Sequence, residues 1–308
     1  MFEEDKPVLK YRYRLGRHSY ETSQTVTAAV LLLPTFIALG FLFIYPVIRV
    51  FALSLTDTNT ITNISKWVGL KNFEFLLRNK MFGKAFTNTV WFTLGKLSGE
   101  VILSLLLAVA LDTHIPARKF LRVSYFAPVI VPVVAASTIW MWLYDPTLGP
   151  LNEVLRFLHL PTSNYIFSSS SALASIVAFA VWRGVGYDII IFLSGLQGIS
   201  EDVIEAARID GANEWKILTK IKLPLMSPII GFVIMMGMIG CFQAFTEVDI
   251  MTQGGPNNAT ILMVNYIYNQ AFGNAKMGRG AAASVLLFAV IFVLTLIQKI
   301  MKDRKEEA

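Results

Sequence analysis

Four charged residues stand where charge is costly. Lys96 and Glu100 fall one helical turn apart inside an apolar run, and Arg183 and Asp188 fall inside another. Ionisable side chains at such a depth pair with one another, face protein, or line the path of an ion or polar ligand. Lys96 and Glu100, at i and i+4, share a face and are expected to pair or to face protein. Lining a path and stitching two helices together suit them equally. Arg183, Gly184 and Tyr187 share a second face, with Ala180 one turn earlier, whereas Asp188 points away from Arg183. Arg183 marks either a functional site or a structural ion pair, and its guanidinium suits a ligand carboxylate or phosphate. The chemistry on offer is recognition rather than bond-making. No GxxxxGK[ST] or HExxH stretch occurs, and His18, His114 and His159 are too dispersed for a metal site. The chain is therefore not expected to hydrolyse ATP or to hold a metal.

A second constellation is the water-loving stretch EAARIDGANEWKILTKIKLP at 205–224. Ser200 can cap a short helix whose first turn holds Glu201 and Asp202, both suited to the positive dipole end. Asp210-Gly211 stops it, and a second helix is expected over about 212–223, ended by Pro224 and Pro228. Trp215, Leu218 and Ile221 recur every three residues, with Asn213, Glu214, Lys216, Thr219 and Lys220 on the other faces. Such an amphipathic helix wants a partner, and on the residues alone an anionic lipid surface and a protein serve equally well.

The elements carrying these groups follow from composition. Of 308 residues 55% are hydrophobic and 16% charged, and the mean hydropathy is +0.56, which places the chain in a membrane. Uncharged runs near the required length of about 20 residues place six spans at about 26–48, 88–111, 124–144, 172–195, 228–247 and 278–298. Pro34, Pro46, Pro128 and Pro132 predict kinks or ends in the first and third. The first run is too long for a signal-peptide core and follows a polar start, so it stays as a span. Cys241, the single cysteine, excludes an intrachain disulfide and reads as a small buried residue.

The net charge of +6 comes from short basic clusters between apolar runs, which argues for orientation rather than nucleic-acid binding. With both termini in the cytoplasm, the cytoplasmic segments collect most of the Lys and Arg. The first outer loop runs against this with Lys66, Lys71, Arg78, Lys80 and Lys84. Trp67, Trp91, Trp140, Trp142 and Tyr144 cluster where the first three spans would leave the outer face, and 205–224 then lies in the cytoplasm.

The spacing Glu205-Ala206-Ala207, Asp210-Gly211-Ala212, Ile221, Leu223-Pro224 resembles the EAA motif of ABC importer permeases, a cytoplasmic loop that docks into a cleft on the ATPase. WVGLKNFEFLLRN at 67, FAPVIVPVVAASTIWMWLYDPTLGPLN at 126, WRGVGYDIIIFLSGLQGIS at 182, TQGGPNNAT at 252 and YIYNQAF at 266 resemble the binding-protein-dependent carbohydrate permeases. The likeness is to the type of the larger maltose permease, without its extra outer domain.

That resemblance implies an all-α, multi-pass protein of the bacterial cytoplasmic (inner) membrane. It implies a cytoplasmic tail over 1–25, a six-span domain over 26–300 with its coupling loop at about 197–227, and a cytoplasmic tail over 301–308. It also implies a second homologous permease, an ABC ATPase dimer that supplies the ATP and Mg sites, and an extracytoplasmic solute-binding protein. Coupling would fall to Glu205, Ala206, Ala207, Asp210, Gly211, Ala212, Trp215, Leu218, Ile221, Leu223 and Pro224, with Glu205 either meeting a basic residue of the ATPase or pairing with Arg208. The substrate path would be lined by Val129, Val133, Ala180, Arg183, Gly184 and Tyr187, together with Gly237, Cys241 and Ala244 after the loop. At those last three positions relatives carry polar side chains, so the small ones here are expected to leave room for a bulky ligand, with Gln243 and Trp182 compensating.

The expected function is import of a carbohydrate, an oligosaccharide above all. A self-contained secondary transporter using Lys96, Glu100, Arg183 and Asp188 as a relay is the rival, but no inverted repeat supports it. A membrane scaffold would leave the EAA spacing unexplained.

Overall fold

The computed structural model describes residues 17–62, 64–112 and 118–306, so the first sixteen residues of the expected tail and His114 lie outside it. Contacts divide the chain into two units, 1–50 and 51–308. The first holds α1 (Arg17–Leu39), a π-turn at Gly40–Ile44 and the start of α2 (Tyr45–Ser54). Pro34 sits inside α1 without ending it. The π-turn has a local cause, because Pro46 has no N–H to continue the ladder and the Tyr45 N–H reaches back five residues to the Gly40 carbonyl.

In the second unit a two-stranded antiparallel ribbon, β1 (Thr56–Thr58) and β2 (Ser65–Trp67), pairs Thr56 with Trp67 and precedes α3 (Lys71–Arg78). Buried Asn72 ties ribbon to helix, its Nδ2 donating to the carbonyls of Ser54 and Thr56 at 2.9 and 2.8 Å. Then come α4 (Lys80–Asp112), α5 (Arg118–Ile130), α6 (Val133–Leu143), α7 (Pro150–Phe157) and α8 (Ala172–Gln197). No proline lies between Pro46 and Pro116, nor between Pro161 and Pro224, and α4 and α8 accordingly run unbroken. The 33 residues of α4 span roughly 50 Å, well beyond a hydrocarbon core of about 30 Å, so it starts eight residues before the expected span.

The third expected span is broken. Pro132 stands at the N-cap of α6, and α5 and α6 meet at 107°. Pro128 stays within α5. The chain then forms α9 (Glu201–Ile209), α10 (Glu214–Ile217), a π-turn at Leu218–Lys222, α11 (Leu223–Leu225), α12 (Ser227–Phe242), α13 (Thr246–Met251), α14 (Met263–Tyr268) and α15 (Met277–Glu306). The fifth expected span, to about 247, ends earlier, at Phe242. Among the described residues four helices are long and apolar enough to cross a membrane, or up to six if each bent pair, α5 with α6 and α10–α11 with α12, is one span.

The packing centres on α4 against α8, with α12 against α4 and α5 against α8. Close approach is bought with glycine at two points. A Cβ at Gly95 would meet Val177 at 3.1 Å, and one at Gly99 would meet Val181 at 3.1 Å. Membrane helices associate through such small-residue contacts, since lipid removes the hydrophobic drive. Phe92, Ile176, Phe179, Cys241, Val248 and Leu262 lie in one core cluster, and Val185, Ile189, Phe192 and Val233 in a second towards the other end of α8.

Candidate functional site

The charged residues of α4 and α8 converge. A cavity of about 240 Å³ is lined by Lys96 and Glu100 from α4, Val129 and Val133 from α5 and α6, Phe179, Ala180, Arg183, Gly184 and Tyr187 from α8, and Glu247 from α13. Grooves of 480 and 860 Å³ beside α5, α8 and α12 carry no charged side chain, and a charged recess of about 510 Å³ lies apart from the cavity, between the end of α4 and α9. Converging polar groups, not volume, distinguish a ligand site from a face covered by lipid or another subunit, so the smaller cavity is the candidate.

Lys96 Nζ donates to Glu100 Oε2 at 2.6 Å within α4, their side chains 18% and 7% exposed. The Glu100 carboxylate is seated against Gly184, where a Cβ would lie 2.5 Å from its Cδ. Glycine at 184 thus lets an acidic side chain of α4 cross to the surface of α8. Arg183 has no ion-pair partner among the described residues, and its buried Nε has no hydrogen-bond partner. Tyr187 is open to the cavity, and Asp188 is buried in α8 outside the lining.

Six of the nine expected path residues, Val129, Val133, Ala180, Arg183, Gly184 and Tyr187, line this one cavity. Gly237, Cys241 and Ala244 do not. Cys241 and Ala244 are buried in the core cluster, and a Cβ at Gly237 would stand 2.7 Å from Leu97 Cδ1 of α4. At Gly237 the room is taken by α4, and Cys241 and Ala244 pack in the core, so the stripe serves helix packing here. Trp182 turns away as well, its ring 5.1 Å from that of Trp140, and Gln243 is exposed. Phe179 and Glu247 line the cavity without being expected from the sequence. Extending the stripe 237, 241, 244 by three more residues lands on Glu247.

The second candidate is the corner formed by α9 and α10. At its bend Ala212 N–H donates to the Ala207 carbonyl at 2.9 Å and Gly211 N–H to the Arg208 carbonyl at 3.0 Å, a Schellman stop with Gly211 at φ +81°. Ser200 stands at the N-cap of α9 but makes no capping hydrogen bond. The side-chain cap belongs to Asn213, whose Oδ1 accepts from Lys216 N–H at 2.9 Å. Pro224 does not end the second helix. As at Pro46, the ladder widens ahead of the proline, Leu223 N–H reaching Leu218 O, and the chain stays helical to Leu225.

Arg208 Nε bonds Glu214 Oε1 across the bend at 3.0 Å, not Glu205, which is exposed and without an ion pair among the described residues. Ile209 and Trp215 are 85% and 71% exposed, whereas Ala207 and Ile217 are buried. Ala206, Asp210 and Pro224 are exposed, and Ala212, Leu218, Ile221 and Leu223 half-buried. Lys222 leaves the corner to bond Asp112, the last residue of α4, at 2.7 Å.

A helical membrane protein with a charged central cavity and a polar, hinged corner is the architecture of a transport permease. The family of binding-protein-dependent transport system inner membrane components matches residues 12–307, and the chain belongs to it. This membership sets aside the self-contained secondary transporter. The chain is 31% identical over 256 residues to the multiple sugar-binding transport system permease protein MsmF of Streptococcus mutans, covering 83% of this chain and 88% of that one. It is 30% identical to the sn-glycerol-3-phosphate transport system permease protein UgpA of Pectobacterium atrosepticum, covering 90% and 94%. In fold it matches a chain of a bacterial ABC transporter involved in import of the acidic polysaccharide alginate, with a TM-score of 0.81 at 21% identity over 92% of this chain and 98% of that one.

Proposed function

We propose that this chain is one of two permease subunits of an ATP-driven importer for a carbohydrate, with an oligosaccharide as the substrate. In this reading α5–α6 and α10–α12 each count as one span, giving six, with both termini and the 201–225 corner in the cytoplasm. An extracytoplasmic binding protein delivers the sugar, and an ABC ATPase dimer, which holds the ATP and Mg, closes on the corner. The name of MsmF supports the sugar, and the alginate transporter's complex with a pentasaccharide-bound periplasmic protein supports the binding-protein partner.

The observation that carries the coupling role is the corner itself. A short helix stopped by a glycine at positive φ, a Glu205 without an ion pair among the described residues, and the exposed Ile209 and Trp215 make a surface that is unfinished on its own. Exposed apolar anchors beside an unpaired charge are what a protein cleft recognises. In the cavity Arg183 and Glu247 offer a donor and an acceptor for sugar hydroxyls, and Tyr187 an aromatic edge.

Co-expression with the ATPase and binding protein, reconstitution in lipid and measurement of binding-protein-stimulated ATP hydrolysis tests this. Glu205→Lys should abolish the stimulation while inserting normally, by placing like charge against a basic residue of the ATPase. Arg183→Ala should lower uptake with the complex intact. Full stimulation in Glu205→Lys would refute the coupling role, and a complex that falls apart in Arg183→Ala would make Arg183 structural.

A further inference from the structure

Most ion pairs among the described residues are local. Glu74–Arg78 and Glu153–Arg156 are exposed pairs within single helices, Lys96–Glu100 lies within α4, and Arg208–Glu214 stays inside the corner. Lys222–Asp112 joins groups 110 residues apart, at 2.7 Å, with the side chains 21% and 17% exposed. It closes a polar recess of about 510 Å³ between the end of α4 and the corner, which also holds Glu201, Glu205 and Arg208. Two other carboxylates share that recess, yet Lys222 is bonded to the one on α4. Lys222 is the last residue of the π-turn, whose widened bond runs from Leu223 N–H to Leu218 O just ahead of Pro224, which cannot donate to the ladder.

The course of α4 gives the contact its meaning. Asp112 is the end of an unbroken helix whose Glu100, twelve residues or about 18 Å earlier, is the carboxylate seated on Gly184 in the cavity. A shift of the corner that carries Lys222 pulls on Asp112, and a rigid α4 moves Glu100 and Lys96 against α8. We propose that Lys222–Asp112 is the strut through which movement of the corner reaches the cavity. Both residues are positioning residues that act through α4. This inference rests on the coupling reading above and adds its route, along α4 rather than along α12 alone.

The test uses the whole complex, with ATPase dimer and binding protein, in lipid nanodiscs. A reporter thiol at Tyr187→Cys is read by maleimide labelling with and without ATP and vanadate, because native Cys241 is buried. In the otherwise wild-type complex ATP should change the labelling rate. Lys222→Met and Asp112→Asn should leave unstimulated hydrolysis unchanged and shrink that change about tenfold, the size of a typical coupling between sites. The exchange Lys222→Asp with Asp112→Lys should restore it to within about twofold, which a merely structural loss would not. A full response in either single variant, an exchange no better than the singles, or loss of the ATPase dimer from the single variants would each overturn the strut. Absence of any ATP response in the reporter complex would instead refute the coupling reading, and the strut with it.

Discussion

Gly184→Ala isolates the most unusual contact in the cavity. The new Cβ would stand 2.5 Å from Glu100 Cδ and still nearer to Oε1. Glu100 is flexible, so its carboxylate can swing aside, and the cost is the lost bond to Lys96 at 2.6 Å rather than backbone strain. A charge-assisted hydrogen bond in a shielded site is worth about 1.5–3 kcal/mol, so a loss of about 2 kcal/mol is expected. Glu100→Ala alone leaves the half-buried Lys96 without its hydrogen-bonded carboxylate and should cost about 3 kcal/mol. In that background the three atoms nearest the added methyl are gone, and Gly184→Ala should cost less than about 0.5 kcal/mol. Gly186→Ala is the control. Its Cβ would meet the backbone of Tyr125, 3.0 Å from the carbonyl carbon, so α5 must back away and Glu100→Ala gives no relief. Equilibrium unfolding in mixed detergent measures each corner of the cycle. Equal costs for Gly184→Ala with and without the Glu100 carboxylate would refute the reasoning.

Three further outcomes are expected. Gly211→Val forces a β-branched residue to φ +81°, costing about 1–3 kcal/mol locally, and stimulated hydrolysis should fall while membrane insertion is normal. Tyr144→Phe removes the hydroxyl that donates to the Ser175 carbonyl at 2.8 Å and should lower stability by about 1 kcal/mol in the same unfolding assay. Asp145 has its carboxyl held below the ordinary range by the Leu148 N–H and by Thr147, so its contribution is present above the unfolded value and lost as pH falls through the lower folded one. The stability difference between wild type and Asp145→Asn, followed by acid titration, should therefore close towards low pH.

What the sequence revealed was local, and what it concealed was long-range. The Lys96–Glu100 pair follows from i, i+4 spacing, the stop at Gly211 from Asp-Gly, and the break of the third span from Pro132. Prolines gave the right place but not always the right effect. At Pro46 and Pro224 a π-turn absorbs the missing N–H and the helix goes on. The stripe Gly237, Cys241, Ala244 suits a cavity wall on sequence alone, because small residues fit both a ligand and a neighbouring helix. Only tertiary packing shows Leu97 filling the space. Glu247 joins the cavity because α12 ends at Phe242 and α13 starts at Thr246, a change of direction that apolar patterning in a membrane does not encode. Lys222–Asp112 lies beyond any periodicity.

The central claim is that the 201–225 corner enters an ATPase cleft. The chain has one cysteine, Cys241, and it is buried, so a thiol at the 85% exposed Ile209 is a specific reporter. The direct measurement is the maleimide labelling rate of Ile209→Cys in lipid, with the permease pair alone and then with the ATPase dimer bound. The account predicts rapid labelling of the free permease and strong protection on binding the ATPase. Equal labelling in both would contradict it, and protection already present in the free permease would mean that the corner lies in the lipid surface.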